Sequence, residues 1–296
     1  MGSRSLDRRQ LSRSKLDLFL ECPRCFHEDV VRGNGRPSGP AFTLNIAVDE
    51  LFKREFDAYR GRQEPHPLFA TVGLEAVPLQ DPRLNAWRHN FTGVRWLDAD
   101  TGWTLFGAVD DLWLGSDGRV MVADYKATAK AEHVTAASLH PAYRRQADVY
   151  QFLVAQQVLE VSDRAWFVYA NGLKTADGFH DTLHFDTRLV PYDGDRSWVL
   201  ETFRAAVSLV VSGHRPEPGP DCRWCQFAHT WAGGGARRIA RPAPPSTSGQ
   251  CLLRASSASR FARAALDLGS SSSALRYASA ASSGIPRRSS TTPRSL

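Results

Sequence analysis

Four of the five cysteines stand in two C-x-x-C pairs, Cys22/Cys25 and Cys222/Cys225, at opposite ends of the patterned part of the chain. Thiols at that spacing hold a tetrahedral metal ion or an iron-sulfur cluster, and in a reducing compartment they are not expected to form disulfides. If both pairs serve one site, the two ends of the body must meet, and the site closes the body like a clasp. Few other features restrict the fold as strongly. Cys251 lies beyond the second pair, in a segment of different character.

That change of character falls near Gly233. Residues 234–296 hold 15 serines, ten arginines and a single acid, Asp267, with Pro242-Ala-Pro-Pro245 and the run Ser270 to Ser273. Such a composition buries too little apolar surface to offset the entropy of ordering. We therefore expect a folded domain over 1–233 and a disordered Ser/Arg/Ala-rich tail over 234–296. The formal charge of +6 belongs to that tail, since the first 233 residues are mildly acidic. Any nucleic-acid groove on the body has to be local, drawn from residues such as Lys126, Lys130, Arg144 and Arg145. No apolar run approaches the roughly 20 residues that span a bilayer, and the N-terminus lacks a signal-peptide core, so a cytoplasmic protein without a membrane partner is expected.

The run Gly107 to Thr128, GAVDDLWLGSDGRVMVADYKAT, reads as a hairpin. An apolar strand carries Asp110, Ser116-Asp-Gly118 makes the turn, and a second strand carries Asp124 and Lys126. Asp124 and Lys126 are two apart and share a face of the pleat. Two aspartates suffice to anchor a hard cation such as Mg²⁺, and the lysine can orient or deprotonate a water and offset charge on a phosphoryl transition state. A surface hairpin with acidic edges and an i,i+2 ion pair is the plain alternative.

Around the hairpin, the periodicity predicts a helix capped by Ser14 and ending near Pro23, and a second over 45–59. Strands are expected near 72–78, 91–97, 103–114, 119–126, 164–171 and 182–186, with helices over 143–159 and 195–212. Together these give a mixed α/β domain, a central β-sheet flanked by helices. Gln146 and Tyr150 are four apart on the 143–159 helix and share a face. His66, His89, His133, His140 and His184 have no second ligand at helical or strand spacing and read as ordinary polar residues. Trp87, Trp96 and Trp113 read as core, Trp224 as core or a stacking surface, and Tyr169-Ala-Asn-Gly172 as a strand end.

In order along the chain stand Ser12, Ser14 and Cys22-Pro23, then Gly107 with Asp110, Asp124 with Lys126, and Gln146 with Tyr150. This ordered set, over roughly residues 10 to 230, resembles the PD-(D/E)xK nuclease superfamily, in particular the RecB-like branch related to CRISPR adaptation exonucleases. The resemblance implies a restriction-endonuclease-like core and hydrolysis of DNA phosphodiester bonds with Mg²⁺ or Mn²⁺. Asp110 and Asp124 would bind the metal together with the Tyr125 backbone carbonyl, Lys126 would act on the water, and Gln146 and Tyr150 would line the substrate cleft. It also implies a four-iron four-sulfur (4Fe-4S) cluster at Cys22, Cys25, Cys222 and Cys225. Two departures stand out. Relatives carry a histidine ligand on the helix before the hairpin, where this chain offers Asp49, with Glu50 and Asn45 as rivals. They also commonly use one N-terminal and three C-terminal cysteines, so the two-plus-two arrangement here leaves Zn²⁺ as the alternative.

The sequence thus predicts a metal-dependent deoxyribonuclease, an exonuclease of DNA repair, recombination or defence that acts on single strands or duplex ends. The competing reading is a catalytically silent DNA-binding or scaffold protein that keeps the nuclease fold and the clasp.

Overall fold

The computed structural model describes residues 9–39 and 42–233. The expectations for the tail over 234–296 and for Cys251 therefore lie outside the described residues. Five strands form the larger sheet: β2 (Ala76–Pro78), β5 (Asp111–Gly115), β6 (Val120–Thr128), β7 (Arg164–Gly172) and β8 (Phe185–Asp193), in the order β2-β5-β6-β7-β8. Only the β6–β7 pairing is parallel; the others are antiparallel. A three-stranded sheet pairs β1 (Gln10–Ser12) parallel with β4 (Trp103–Gly107), and β4 antiparallel with β3 (Val94–Asp98). The mixed α/β architecture with helices packed on the sheets is as expected, but the strands divide between two sheets.

β6 is the middle strand of five and is buried on both sides, as its near-continuous apolar run requires. Its alternation separates two cores. Val120 and Val122 join a large cluster with Leu153 and Phe203, whereas Met121, Ala123 and Tyr125 join a second with Phe52, Phe56 and Trp113. The first cluster draws on helices α1 (Arg13–Glu21), α2 (Pro23–Val30), α6 (Pro141–Ala155) and α7 (Ser197–Ser212). The second draws on α3 (Thr43–Arg62) and the short α4 (Pro67–Ala70). The remaining helices are the one-turn α5 (Leu84–Trp87) and α8 (Arg223–Gly233).

The observed elements correct several expected boundaries. Ser12, not Ser14, caps α1: residues 10–12 are held extended against β4, and the Ser12 hydroxyl accepts from the Lys15 N–H at 3.4 Å. The helix does end near Pro23 as expected, at Glu21, and Pro23 opens a further helix, α2, at its first position, where a missing N–H costs nothing. The strand expected over 103–114 breaks at 108–110 into β4 and β5, one for each sheet. The strand expected over 182–186 runs instead over 185–193, because it pairs with β7 along its whole length. His66 is no ordinary polar residue: it is 3% exposed and stacks on Phe56 with ring centroids 4.0 Å apart. Trp87 and Trp113 are core as expected. Among the described residues, no helix is long and apolar enough to cross a membrane.

Candidate functional site

The break between β4 and β5 creates the site. Asp110 lies in it, immediately before β5, and its Oδ2 accepts the backbone N–H of Tyr125 at 3.1 Å. That bond ties the entrance of β5 to the residue between Asp124 and Lys126. Asp124 sits on the same face of β6 as Val120 and Val122, and only 1% of it is exposed. Its Oδ1 accepts from Gln146 Nε2 at 2.8 Å, and the same amide also donates to the Tyr150 hydroxyl at 3.2 Å. Asp124 Oδ2 is buried in ion-pair contact with Lys126 Nζ. The Lys126 ammonium also stands over the Tyr143 ring, 4.7 Å from its centroid.

Gly107 explains why the turn into the site begins with glycine. A Cβ there would stand 2.8 Å from Tyr150 Cε1, so any side chain would push Tyr150 off the sheet and, with it, the amide that holds Asp124.

α3 crosses the other side of the site. Asp49 Oδ2 pairs with Lys53 Nζ at 2.7 Å, one helical turn on, and Lys53 Nζ is also 3.6 Å from Asp110 Oδ1. Asp49 is therefore drawn to the carboxylate cluster. Of its rivals, Glu50 pairs outward with Arg54, and Asn45 donates to the Ala127 carbonyl at 3.4 Å. The structure thus brings Asp49, Asp110, Asp124, the Tyr125 backbone, Lys126, Gln146 and Tyr150 to one place.

Crowding the acids shifts their protonation. Burial, reinforced by Asp110, pushes the Asp124 carboxyl up to about 7 against the pull of Lys126. Burial and Asp110 likewise raise Asp49, partly offset by Lys53 and Lys126. Burial works to lower Lys126, but Asp124 and Asp110 outweigh it and hold the ammonium above the usual lysine range. Burial raises the Tyr150 phenol, which stays neutral. Hard carboxylate oxygens grouped in this way are the donor type that suits a divalent cation, but Asp124 Oδ2 is already paired with Lys126, and Asp49 and Asp110 share Lys53.

Several partners of this site escaped the sequence analysis. Lys53 had a signal, its i,i+4 spacing from Asp49. Asp111 had none: wholly buried next to Asp110, it binds Arg88 at 2.9 Å, Trp113 Nε1 at 3.2 Å and the Tyr125 hydroxyl at 2.7 Å, and it pairs with Arg60. This network fixes the far face of β6. Two expected phosphate contacts are instead structural. Arg144 donates to the carbonyls of Ala136 and Ala137 at 3.0 and 2.9 Å, and Arg145 pairs with Asp17 at 2.5 Å, so both guanidinium groups are already held.

The four cysteines form a second centre. Both pairs come together, with all four sulfurs within 4.8 Å of one another and no disulfide among them. Cys22 caps α2 and Cys222 immediately precedes α8, so each pair sits at a helix start. Although burial opposes it, the Cys225 backbone N–H and the neighbouring thiols hold Cys222 down at about 7; burial raises Cys25 against the pull of Arg36, and burial with the neighbouring thiols raises Cys225. Four such thiols cannot all ionise without a cation among them. A cavity of about 630 Å³ adjoins this centre, lined by Arg24, Arg36, Arg215 and the partly exposed Trp224. Its arginines are engaged by Glu217, Glu21 and Glu28 respectively.

A mixed sheet that presents clustered aspartates and a lysine at its centre defines a class of metal-dependent phosphodiesterase folds. The sequence profile of the PD-(D/E)XK nuclease superfamily matches residues 44–230, and the chain belongs to that superfamily. Its members are nucleases that use divalent metal ions. The matched span holds every residue of the carboxylate site and the second cysteine pair, and begins after the first pair. No curated protein matches the chain.

Proposed function

We propose that this protein is a deoxyribonuclease of the RecB-like branch, an exonuclease that requires Mg²⁺ or Mn²⁺ and acts on single-stranded DNA or duplex ends in repair, recombination or defence. The observation that carries this reading is the grouping of Asp49 and Asp110 through Lys53, beside Asp124 with Lys126 held against it. Asp49, Asp110 and Asp124, with the Tyr125 carbonyl, would hold the cation, which when bound supplies Lewis acidity toward the scissile phosphate. Lys126 keeps its proton, so it orients the attacking water and offsets charge on the phosphoryl oxygens. Gln146 fixes the Asp124 carboxylate through one N–H, and Tyr150 fixes Gln146. The same reading takes residues 1–233 as the nuclease body. Deleting 234–296 should leave its melting temperature nearly unchanged.

One observation favours the silent alternative. Lys53 bridges Asp49 and Asp110, where a divalent ion would bind, so a permanently seated lysine would leave a DNA-binding protein without activity. Labelled single-stranded and duplex DNA incubated with Mg²⁺ or Mn²⁺ separates the two. Cleavage that is lost on omitting the metal and in Lys126→Ala supports the nuclease. Binding without cleavage at any metal concentration supports the silent protein.

A further inference from the structure

The spacing of the four thiols discriminates between possible occupants. Around a single ion with metal–sulfur bonds of about 2.3 Å, the sulfurs mark a tetrahedron with an edge of about 3.8 Å. Here Cys22 Sγ and Cys225 Sγ are 3.7 Å apart, Cys25 and Cys222 3.5 Å, and Cys25 and Cys225 3.6 Å. In a four-iron cluster each thiolate binds a different iron, and the core of iron and sulfide stands between the ligands. The sulfurs are then held much wider apart than around one ion. Thiols already in van der Waals contact leave no room for such a core.

The surroundings keep the thiols at this spacing. The two pairs are presented alike, each with its first cysteine just before a helix: Cys22 precedes α2 and accepts the Cys25 N–H at 3.5 Å, and Cys222 precedes α8. The segment leading into the second pair is pinned to the first. Gly219 N donates to Cys22 Sγ at 3.3 Å, and Arg24 Nε donates to the Pro216 carbonyl. Gly219 packs so closely that a Cβ would stand 3.1 Å from the Glu21 carbonyl oxygen. Separating the pairs to admit a cluster would break these links together. Arg36 Nη2, 3.7 Å from Cys222 Sγ, offsets the negative charge that four thiolates and one divalent ion would carry.

We infer that Cys22, Cys25, Cys222 and Cys225 hold one tetrahedral zinc ion, and that the four-iron cluster implied by the two C-x-x-C pairs and the family resemblance does not fit this chain. Metal content reads this centre whether or not the chain cleaves DNA. The full chain, expressed with both iron and zinc in the medium and purified without oxygen, should be colourless, with about one zinc per chain and no acid-labile sulfide. After the zinc is removed, ferrous iron and sulfide added without oxygen should form no cluster, whereas Co²⁺ should give the visible bands of a tetrahedral thiolate site. A brown protein containing iron and sulfide, as isolated or after that reconstitution, overturns the assignment. So does a metal-free protein in which all four thiols react at once with a thiol reagent.

Discussion

The carboxylate centre and the cysteine centre solve opposite problems. In the first, three buried or half-buried aspartates are kept from repelling one another by Lys53 and Lys126, cations that belong to the protein itself. In the second, four thiols meet with one guanidinium and a few backbone N–H groups beside them, far too little positive charge for four thiolates. A site that carries its own counter-ions folds without metal and exchanges it; a site that lacks them takes its cation as part of the fold. Hard oxygen donors suit the exchanging role, and soft sulfur donors the permanent one.

The largest expected effect tests the permanent role. Cys22→Ser and Cys222→Ser should each lose the bound ion and lower the melting temperature by roughly 10 °C or more, since folding and binding are linked at such a site. The double variant should add little to either single change. If the first pair and the second behave independently in metal analysis and melting curves, the clasp is wrong and the comparison fails with it.

Next in size are Asp124→Ala and Lys126→Ala. Each should reduce metal-dependent cleavage at least about 100-fold and, because it leaves one half of a largely buried ion pair without its partner, also lower the melting temperature, as followed by a labelled-DNA assay and circular dichroism. The contrast with the cysteine variants is the point: the carboxylate variants should lose cleavage while keeping the ion bound by the cysteines. Retained cleavage in both aspartate and lysine variants would remove the chemical assignment of β6.

What was legible in the sequence follows the same division between local and distant interactions. The β5–β6 hairpin, the placement of Asp124 and Lys126 on one face, and the shared face of Gln146 and Tyr150 all follow from short-range periodicity, and all appear. The meeting of the cysteine pairs was legible because paired thiols at both ends of a body have few other uses. Interactions set by tertiary packing were not legible. Nothing adjacent to Asp111 in the sequence points to Arg60 and Arg88, and nothing near Arg145 points to Asp17, 128 residues earlier. The split of one expected strand into β4 and β5 was hidden too, because Ala108-Val109 continues the apolar pattern through the break that places Asp110.

Lys53 sharpens the comparison at intermediate size. Lys53→Met removes the counter-ion shared by Asp49 and Asp110, so the metal no longer has to displace it. The Mg²⁺ concentration for half-maximal cleavage should fall about five-fold, the equivalent of an ion pair worth about 1 kcal/mol. Asp49→Asn should shift the same curve the other way. Identical curves for wild type and both variants would place Asp49 outside the metal's reach.

The smallest effect is a pH dependence, and its sign follows from Asp124. Its carboxyl is raised in the fold, chiefly by burial, to about 7 from an ordinary value of 3.8, so the folded state holds the proton more tightly than the unfolded chain. The stability this group contributes is therefore complete below the ordinary carboxylate range and is lost as pH rises through about 7. Without added Mg²⁺, the protein should be more stable at about pH 5.5 than at about pH 8, by on the order of 1–3 kcal/mol from this residue. Asp124→Asn should flatten that slope. Thermal melts should be run in divalent-free buffer without a chelator, so that the cysteine centre keeps its ion while the carboxylate centre is empty. Saturating Mg²⁺ should reverse the trend, because the cation binds the ionised carboxylate and its stabilisation grows as the proton leaves. A slope that survives Asp124→Asn, or that Mg²⁺ leaves untouched, would mean that the buried acid is not where the metal and the proton compete.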